Sequence, residues 1–170
     1  MTTHLTLLPY NLPGRIYRSP LPYSRMFDRL EEVWSLYKTA GVGHVVMLLP
    51  ELEAMQHSGR DIKKMYEQAG VQVISSAVED FSAPPKGAFD SAIQQVITLA
   101  KKGETVAIHC HAGVGRTGMF AACLARELWG LSAQDAIAWV RQFIPDAVET
   151  DFQVNFVGEY ERSVFRSFSI

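Results

Sequence analysis

Apolar positions along the chain fall into short continuous runs, separated by stretches in which they recur at helical spacing. Residues 15–18 (Arg-Ile-Tyr-Arg) lie between Gly14 and Ser19-Pro20, a short strand signal bounded by turn residues. From Ser24 onward, Met26, Phe27, Leu30, Val33, Trp34 and Tyr37 follow the helical period, and Gly41 and Gly43 end the run. His44 to Leu49 is then almost wholly apolar up to Pro50, as expected of a strand buried on both faces. A short polar helix is predicted over 60–69 and a third strand over 71–78. Pro84 and Pro85 force a loop on 79–85, because each removes a backbone donor and fixes φ.

The second half of the chain continues the alternation. Phe89, Ala92, Ile93, Val96, Ile97 and Ala100 mark one face of a helix, which Lys101-Lys102-Gly103 closes with positive charge at the negative end of its dipole. Thr105–Ile108 reads as a fourth strand, and Met119–Trp129 as a nearly all-apolar, buried helix. Ser132 with Asp135 resembles a capping box for a helix ending near Ile144-Pro145. Thr150 with Gln153 forms another, for a final helix carrying Phe152, Phe156, Tyr160 and Val164. The expected fold is α/β: a single domain over residues 1–170, its mostly parallel central sheet of four or five strands flanked by helices on both faces. Ligands of such sheets bind beyond the carboxyl ends of the strands. The loops at 79–85 and 109–118 both fall there and face one another.

Composition narrows the function. A chain of 170 residues can bury a core without disulfides or a structural metal. With 48% hydrophobic and 20% charged residues and a net charge of −2, it has the profile of a globular protein with no nucleic-acid partner. Its only cysteines are Cys110 and Cys123, which fits a reducing compartment. Pro9 and Pro13 break the opening apolar run before a signal core forms, and no stretch approaches bilayer length, so a cytoplasmic monomer without membrane contact is expected. Trp34, Trp129 and Trp139 fall on apolar helical faces and are expected in the core, as is the Cys123 thiol.

The chemistry is concentrated in His109-Cys110-His111-Ala112-Gly113-Val114-Gly115-Arg116-Thr117-Gly118. Gly113 to Gly118 matches G-x-G-x-x-G, but a dinucleotide site needs that loop after the first strand and an acid near the end of the next. Here the loop follows the last strand, and Asp135, twenty residues past Gly115, opens a helix. A Walker loop fails as well, with Arg116 where lysine belongs. Taken instead as the point of the loop, Cys110 stands five residues before Arg116. His111, Ala112, Gly113, Val114 and Gly115 between them can curl so that their amides form an anion nest. The next helix adds its positive end, and thiol pKa values fall from ~8.5 to about 3.5–7.5 in such surroundings, so a thiolate is expected. Arg116 can clamp two phosphoryl oxygens. Thr117 can offer its hydroxyl to the sulfur, and His109 can order the loop backbone. A metal is not expected: His109, Cys110 and His111 point to alternate sides, and no second cluster completes a ligand set.

His109-Cys110-x5-Arg116-Thr117-Gly118 resembles the signature loop of the cysteine-dependent protein tyrosine phosphatase superfamily, and the chain is similar over residues 15–165 to its compact dual-specificity branch. The resemblance implies attack by the thiolate on a phosphate monoester, a phosphocysteine intermediate and hydrolysis by water, without cofactor. It also implies an acid on a loop about thirty residues before the cysteine. Asp80 lies there, with Glu79 a competing assignment. Val148-Glu149-Thr150-x-x-Gln153 resembles a segment in which the glutamate assists as an acid and the glutamine positions water, although Thr150 and Gln153 also cap a helix by themselves.

Arg116 is the only permanent cation in the loop, which suits one dianionic monoester: a phosphorylated protein, through phosphotyrosine and also phosphoserine or phosphothreonine, or a small phosphate monoester. A protonated His111 would weaken that argument. The alternatives are an inositol-phosphate or phosphoinositide phosphatase and a non-catalytic phosphate-binding module.

Overall fold

The computed structural model describes residues 4–166. In chain order the elements are β1 (Thr6–Leu8), β2 (Arg15–Ser19), α1 (Val33–Ala40), β3 (His44–Met47), α2 (Glu51–Ser58), α3 (Ile62–Gln68) and β4 (Gln72–Ser75). They continue with α4 (Asp90–Lys101), β5 (Thr105–His109), α5 (Gly115–Trp129), α6 (Ala133–Arg141), α7 (Asp151–Glu159) and α8 (Ser163–Arg166). The five-stranded sheet has the order β1-β2-β5-β3-β4, and only the β1–β2 pair is antiparallel. The α/β expectation holds.

Strand alternation builds two cores. Ile16, Val46, Val106 and Ile108 face the layer of α4 to α7, while Val45, Met47 and Ala107 face α1, α2 and α3 through Val33, Tyr37, Ala54, Ile62 and Tyr66. β5 lies between β2 and β3, so its carboxyl end has a covered strand on each side. Among the described residues no helix is long and apolar enough to cross a membrane.

Several boundaries differ from the periodicity. The helix expected from Ser24 begins only at Val33, because the buried Asp28 carboxylate accepts from the backbone amides of Tyr23, Glu32 and Val33 at 2.8, 2.9 and 3.3 Å. Those bonds compete with a helical ladder. Met26 (62% exposed) and Leu30 (74%) therefore stand in solvent rather than in the core. β1 and α2 carried no expectation, β1 having three residues and α2 burying only Ala54 and Ser58, so that no apolar period registers. The strand expected to Val78 stops at Ser75, although the amides of Ser76 and Val78 still bond to the carbonyls of Met47 and Leu48 at 3.0 Å each.

α5 starts at Gly115, a turn before Met119, so Arg116 and Thr117 belong to its first turn. Trp129 lies exposed at its end, against Tyr10 and Trp139, and is not core; Trp34 and Trp139 are half-buried. Both N-caps form, with Ser132 accepting from the Asp135 amide and Thr150 from that of Gln153, but neither box closes: the Asp135 carboxylate accepts from the Ser132 hydroxyl and Gln153 Oε1 from the Glu149 amide. The last expected helix breaks at Tyr160, whose backbone is extended. Arg126 takes the carbonyls of Val157, Gly158 and Tyr160, and the Tyr160 hydroxyl bonds Glu127 at 2.9 Å. Val164 consequently sits in the separate α8.

Asp28→Ala should strip three amides of their acceptor and lower the unfolding free energy by about 1–3 kcal/mol. Urea denaturation checks this: a lower midpoint at unchanged slope is expected, and no change of midpoint would mean that residues 21–32 hold their path without the carboxylate.

Candidate active site

The loop after β5 hangs between its neighbours. The His109 carbonyl accepts from the Leu48 amide and the His111 carbonyl from the Leu21 amide, each at 2.9 Å. Gly113 has φ +75°, and a Cβ there would run into the Ser19 carbonyl, so the turn requires glycine on both counts. The turn brings the Gly113 amide to 3.3 Å from the Cys110 sulfur, which is itself buried. Ala112 and Val114 are half-buried at the rim.

Arg116 is 2% exposed, and its fork is fully engaged: Nη1 and Nη2 donate to the two Glu53 carboxylate oxygens at 3.0 and 2.7 Å, and Nη1 also donates to the Val78 carbonyl at 2.9 Å. Asp80 lies 3.2 Å from Nη2. Burial alone would lower the guanidinium pKa, but the Glu53 bonds and the charges of Cys110, Glu53 and Asp80 raise it. Its Nε is buried without a partner, a donor still free for an acceptor.

Two histidines flank the sulfur, and both favour the neutral form. His109 is fully buried and its pKa falls to about 4, chiefly through desolvation. Its Nδ1 lies 3.0 Å from the Cys110 carbonyl, which can only accept, so Nδ1 carries the proton and Nε2 accepts from the Tyr66 hydroxyl at 2.9 Å. His109 thus ties the loop backbone to α3. His111 bonds Ser24 Oγ at 3.1 Å through Nε2 and stacks on His57 with ring centroids 3.6 Å apart. Burial and the His57 neighbour lower its pKa, which removes the protonated His111 that the sequence left open.

The carboxylates divide. Asp80 reaches Arg116, whereas Glu79 makes no ion pair among the described residues. The Glu149 carboxylate lies against Gly115, and its pKa is raised by burial first and by Asp80 next. The missing side chain at Gly115 is what admits Glu149, with Gln153 beside it. Gln153 is buried and its Oε1 accepts from the Glu149 amide at 2.8 Å, while its Nε2 has no partner. The expected bond from Thr117 to the sulfur is absent: this hydroxyl is buried in the first turn of α5 with no partner, and the Gly113 amide serves the sulfur instead. Cys123 lies in the core, where burial pushes its thiol well up.

Sequence reasoning missed Glu53 and Arg18. Glu53 opens α2 directly after the β3 run, at the ligand end of the sheet, and two acids following Pro50 were its signal. Arg18, buried at the end of β2, shares the inward parity of Ile16, where a charge is out of place.

A family model described as "Polymorphic toxin system, DSP-PTPase phosphatase" matches residues 23–128. The chain belongs to this DSP-PTPase family, a compact dual-specificity-like branch of the cysteine-dependent protein tyrosine phosphatase superfamily. It is similar to tyrosine-protein phosphatase cdcA of Emericella nidulans, at 28% identity over 79% of this chain and 20% of that protein. The chain spans 8% to 20% of the length of curated relatives of this kind. Among solved structures, Tk-PTP in its active form shares 27% identity with a TM-score of 0.74, over 95% of this chain and 98% of that one. Kinase associated phosphatase, with its catalytic-site cysteine substituted by serine, shares the fold at 20% identity and TM-score 0.81, over 99% and 96% of the two chains.

His109 gives the site a pH signature. Its pKa is 6.5 ordinarily and about 4 when folded, so between those values the unfolded chain binds a proton that the folded one refuses. Its contribution is complete above pH 6.5 and is lost as pH falls toward 4, by on the order of 3 kcal/mol. Chemical denaturation across that window should show a steeper loss in the wild type than in His109→Asn; parallel profiles would mean that the buried imidazole is not held neutral.

Proposed function

We propose that the protein hydrolyses phosphate monoesters through a phosphocysteine intermediate, with phosphotyrosine in proteins as the main substrate and phosphoserine and phosphothreonine also accepted. One observation carries this reading: the Cys110 sulfur, under the Gly113 amide, shares the carboxyl end of β5 with a buried Arg116 that already holds Asp80 within 3.2 Å. In the reaction the Cys110 thiolate attacks phosphorus, the S–P bond forms and the bond to the leaving oxygen breaks. Asp80, in its acid form, gives that oxygen its proton. Water then attacks phosphorus with Asp80 as base, and the thiolate departs. Phosphoryl oxygens replace Asp80 on Nη2 of Arg116 and supply the acceptor its Nε lacks, while the inward amides hold the charge that develops. Glu149 and Gln153, side by side against Gly115, are the carboxyl and amide assigned to the water of the second step in this reading.

A single dianion fits the charge of the site. The variable loop positions add no cation, His111 favours its neutral form, and the carboxylates of Glu53, Asp80 and Glu149 gather around Arg116. A polyphosphate would meet those carboxylates as like charges.

Cys110→Ser should abolish turnover yet still bind tungstate, measured by calorimetry; retained turnover would remove the covalent route. Asp80→Asn should slow phenyl phosphate, a poor leaving group, by about 10²–10⁴ and an activated aryl ester far less. Equal losses on both would transfer the acid role to Glu79 or Glu149. Rates on phosphotyrosine peptides, phosphothreonine peptides and phosphoinositides should fall in that order, and a preference for the lipid would overturn the protein-substrate reading.

A further inference from the structure

Arg18 pairs in register with Ile108 of β5. Successive side chains alternate across a sheet, so Arg18 and Ile108 project from the same face, and Cys110, just past β5, belongs to the core cluster on that face with Ile16 and Ile108. The Arg18 side chain is 2% exposed, and its Nε has no hydrogen-bond partner. Among the described residues no carboxylate forms an ion pair with it. A buried ion costs several kcal/mol unless an opposite charge offsets it.

The groups facing Arg18 identify that charge. Burial lowers its pKa, and the opposing pull comes from Cys110 first and Tyr37 second. Tyr37 is a buried phenol whose pKa is driven up, which keeps it neutral. Arg116, the other cation near the sulfur, is already matched by Glu53 and Asp80, with Glu149 close by. His109 and His111 both favour the uncharged form. Of the two guanidiniums near the sulfur, Arg18 is the one that no carboxylate balances.

We propose that Arg18 is a positioning residue for the nucleophile: a buried guanidinium without a carboxylate partner, whose counter-charge is the sulfur of Cys110 at the end of the adjacent strand. The proposal rests on Cys110 acting as the phosphatase nucleophile. It also gives the second step a direction. Once the S–P bond forms, the sulfur no longer carries the charge that balances Arg18, and cleavage of that bond by water restores it.

The test uses the intact chain with Arg18→Met and Arg18→Lys. The rate of Cys110 alkylation by iodoacetamide is followed against pH, with Cys110→Ser as the blank for Cys123. In Arg18→Met the pH midpoint of alkylation should move up by about one unit or more, and the acidic limb of kcat/KM should move with it. Activity on an aryl phosphate would then fall about tenfold more at the acid end than where the thiol is ionised in both proteins. Arg18→Lys keeps the charge and should keep the wild-type midpoint. Below the alkylation midpoint, where the thiol is neutral and Arg18 has lost its counter-charge, replacing the cation by hydrocarbon should leave the thermal midpoint of Arg18→Met unchanged or higher.

A wild-type alkylation midpoint in Arg18→Met, an equal shift in Arg18→Lys, or an Arg18→Met chain that fails to fold would each overturn the proposal. An unmoved midpoint together with turnover abolished by Cys110→Ser sinks the Arg18 role alone. Turnover that survives Cys110→Ser sinks the phosphatase reading, whatever the midpoint does.

Discussion

The buried guanidinium of Arg116 sets the terms for the rest of the site. An arginine 2% exposed must be paired, and the partners it takes come from two separate pieces of chain: Glu53 at the start of α2, and the segment leaving β4, which supplies the Val78 carbonyl and then Asp80. Each follows a strand that lies to one side of β5, and Arg116 itself sits in the first turn of the helix that follows β5. The sheet order therefore determines which acids can reach it. One side-chain fork joins the ligand ends of β3, β4 and β5, so the packing that stabilises the fold is also what aims the loop.

The limits of the sequence follow from the same geometry. Whatever depended on neighbours in the chain was legible. The run from Cys110 to Arg116 turns the Gly113 amide onto the sulfur, the periodicity of 89–100 fixes α4, and Ser132 and Thr150 cap helices whose amides lie three residues away. What depended on neighbours across the sheet was not. Glu53 becomes a partner of Arg116 only because β5 inserts between β2 and β3, an order that no spacing along the chain encodes. Arg18 looked like one more polar residue in a short strand until its register with Ile108 put it on the face of Cys110. Residues 24–32 show the converse failure, since a real apolar period was overridden by a single carboxylate capturing three amides.

Charge in the site is arranged unevenly. On the side of Arg116 three carboxylates, Glu53, Asp80 and Glu149, gather around one cation; on the side of Arg18 there is a cation and no carboxylate. An arriving dianion must displace acids from the first side. The Glu149 carboxylate sits against Gly115, in the first turn of α5. Its raised pKa follows from burial and from Asp80, so crowding of acids loosens the hold of each and makes exchange for phosphate less costly. In the proposed reaction the two cations separate two tasks: Arg116 would trade protein oxygens for substrate oxygens, while Arg18 lies buried on the inward face of β2. With both histidines favouring the neutral form, the charge that would change during the proposed reaction is confined to the sulfur, the phosphoryl group and the acids that yield to it.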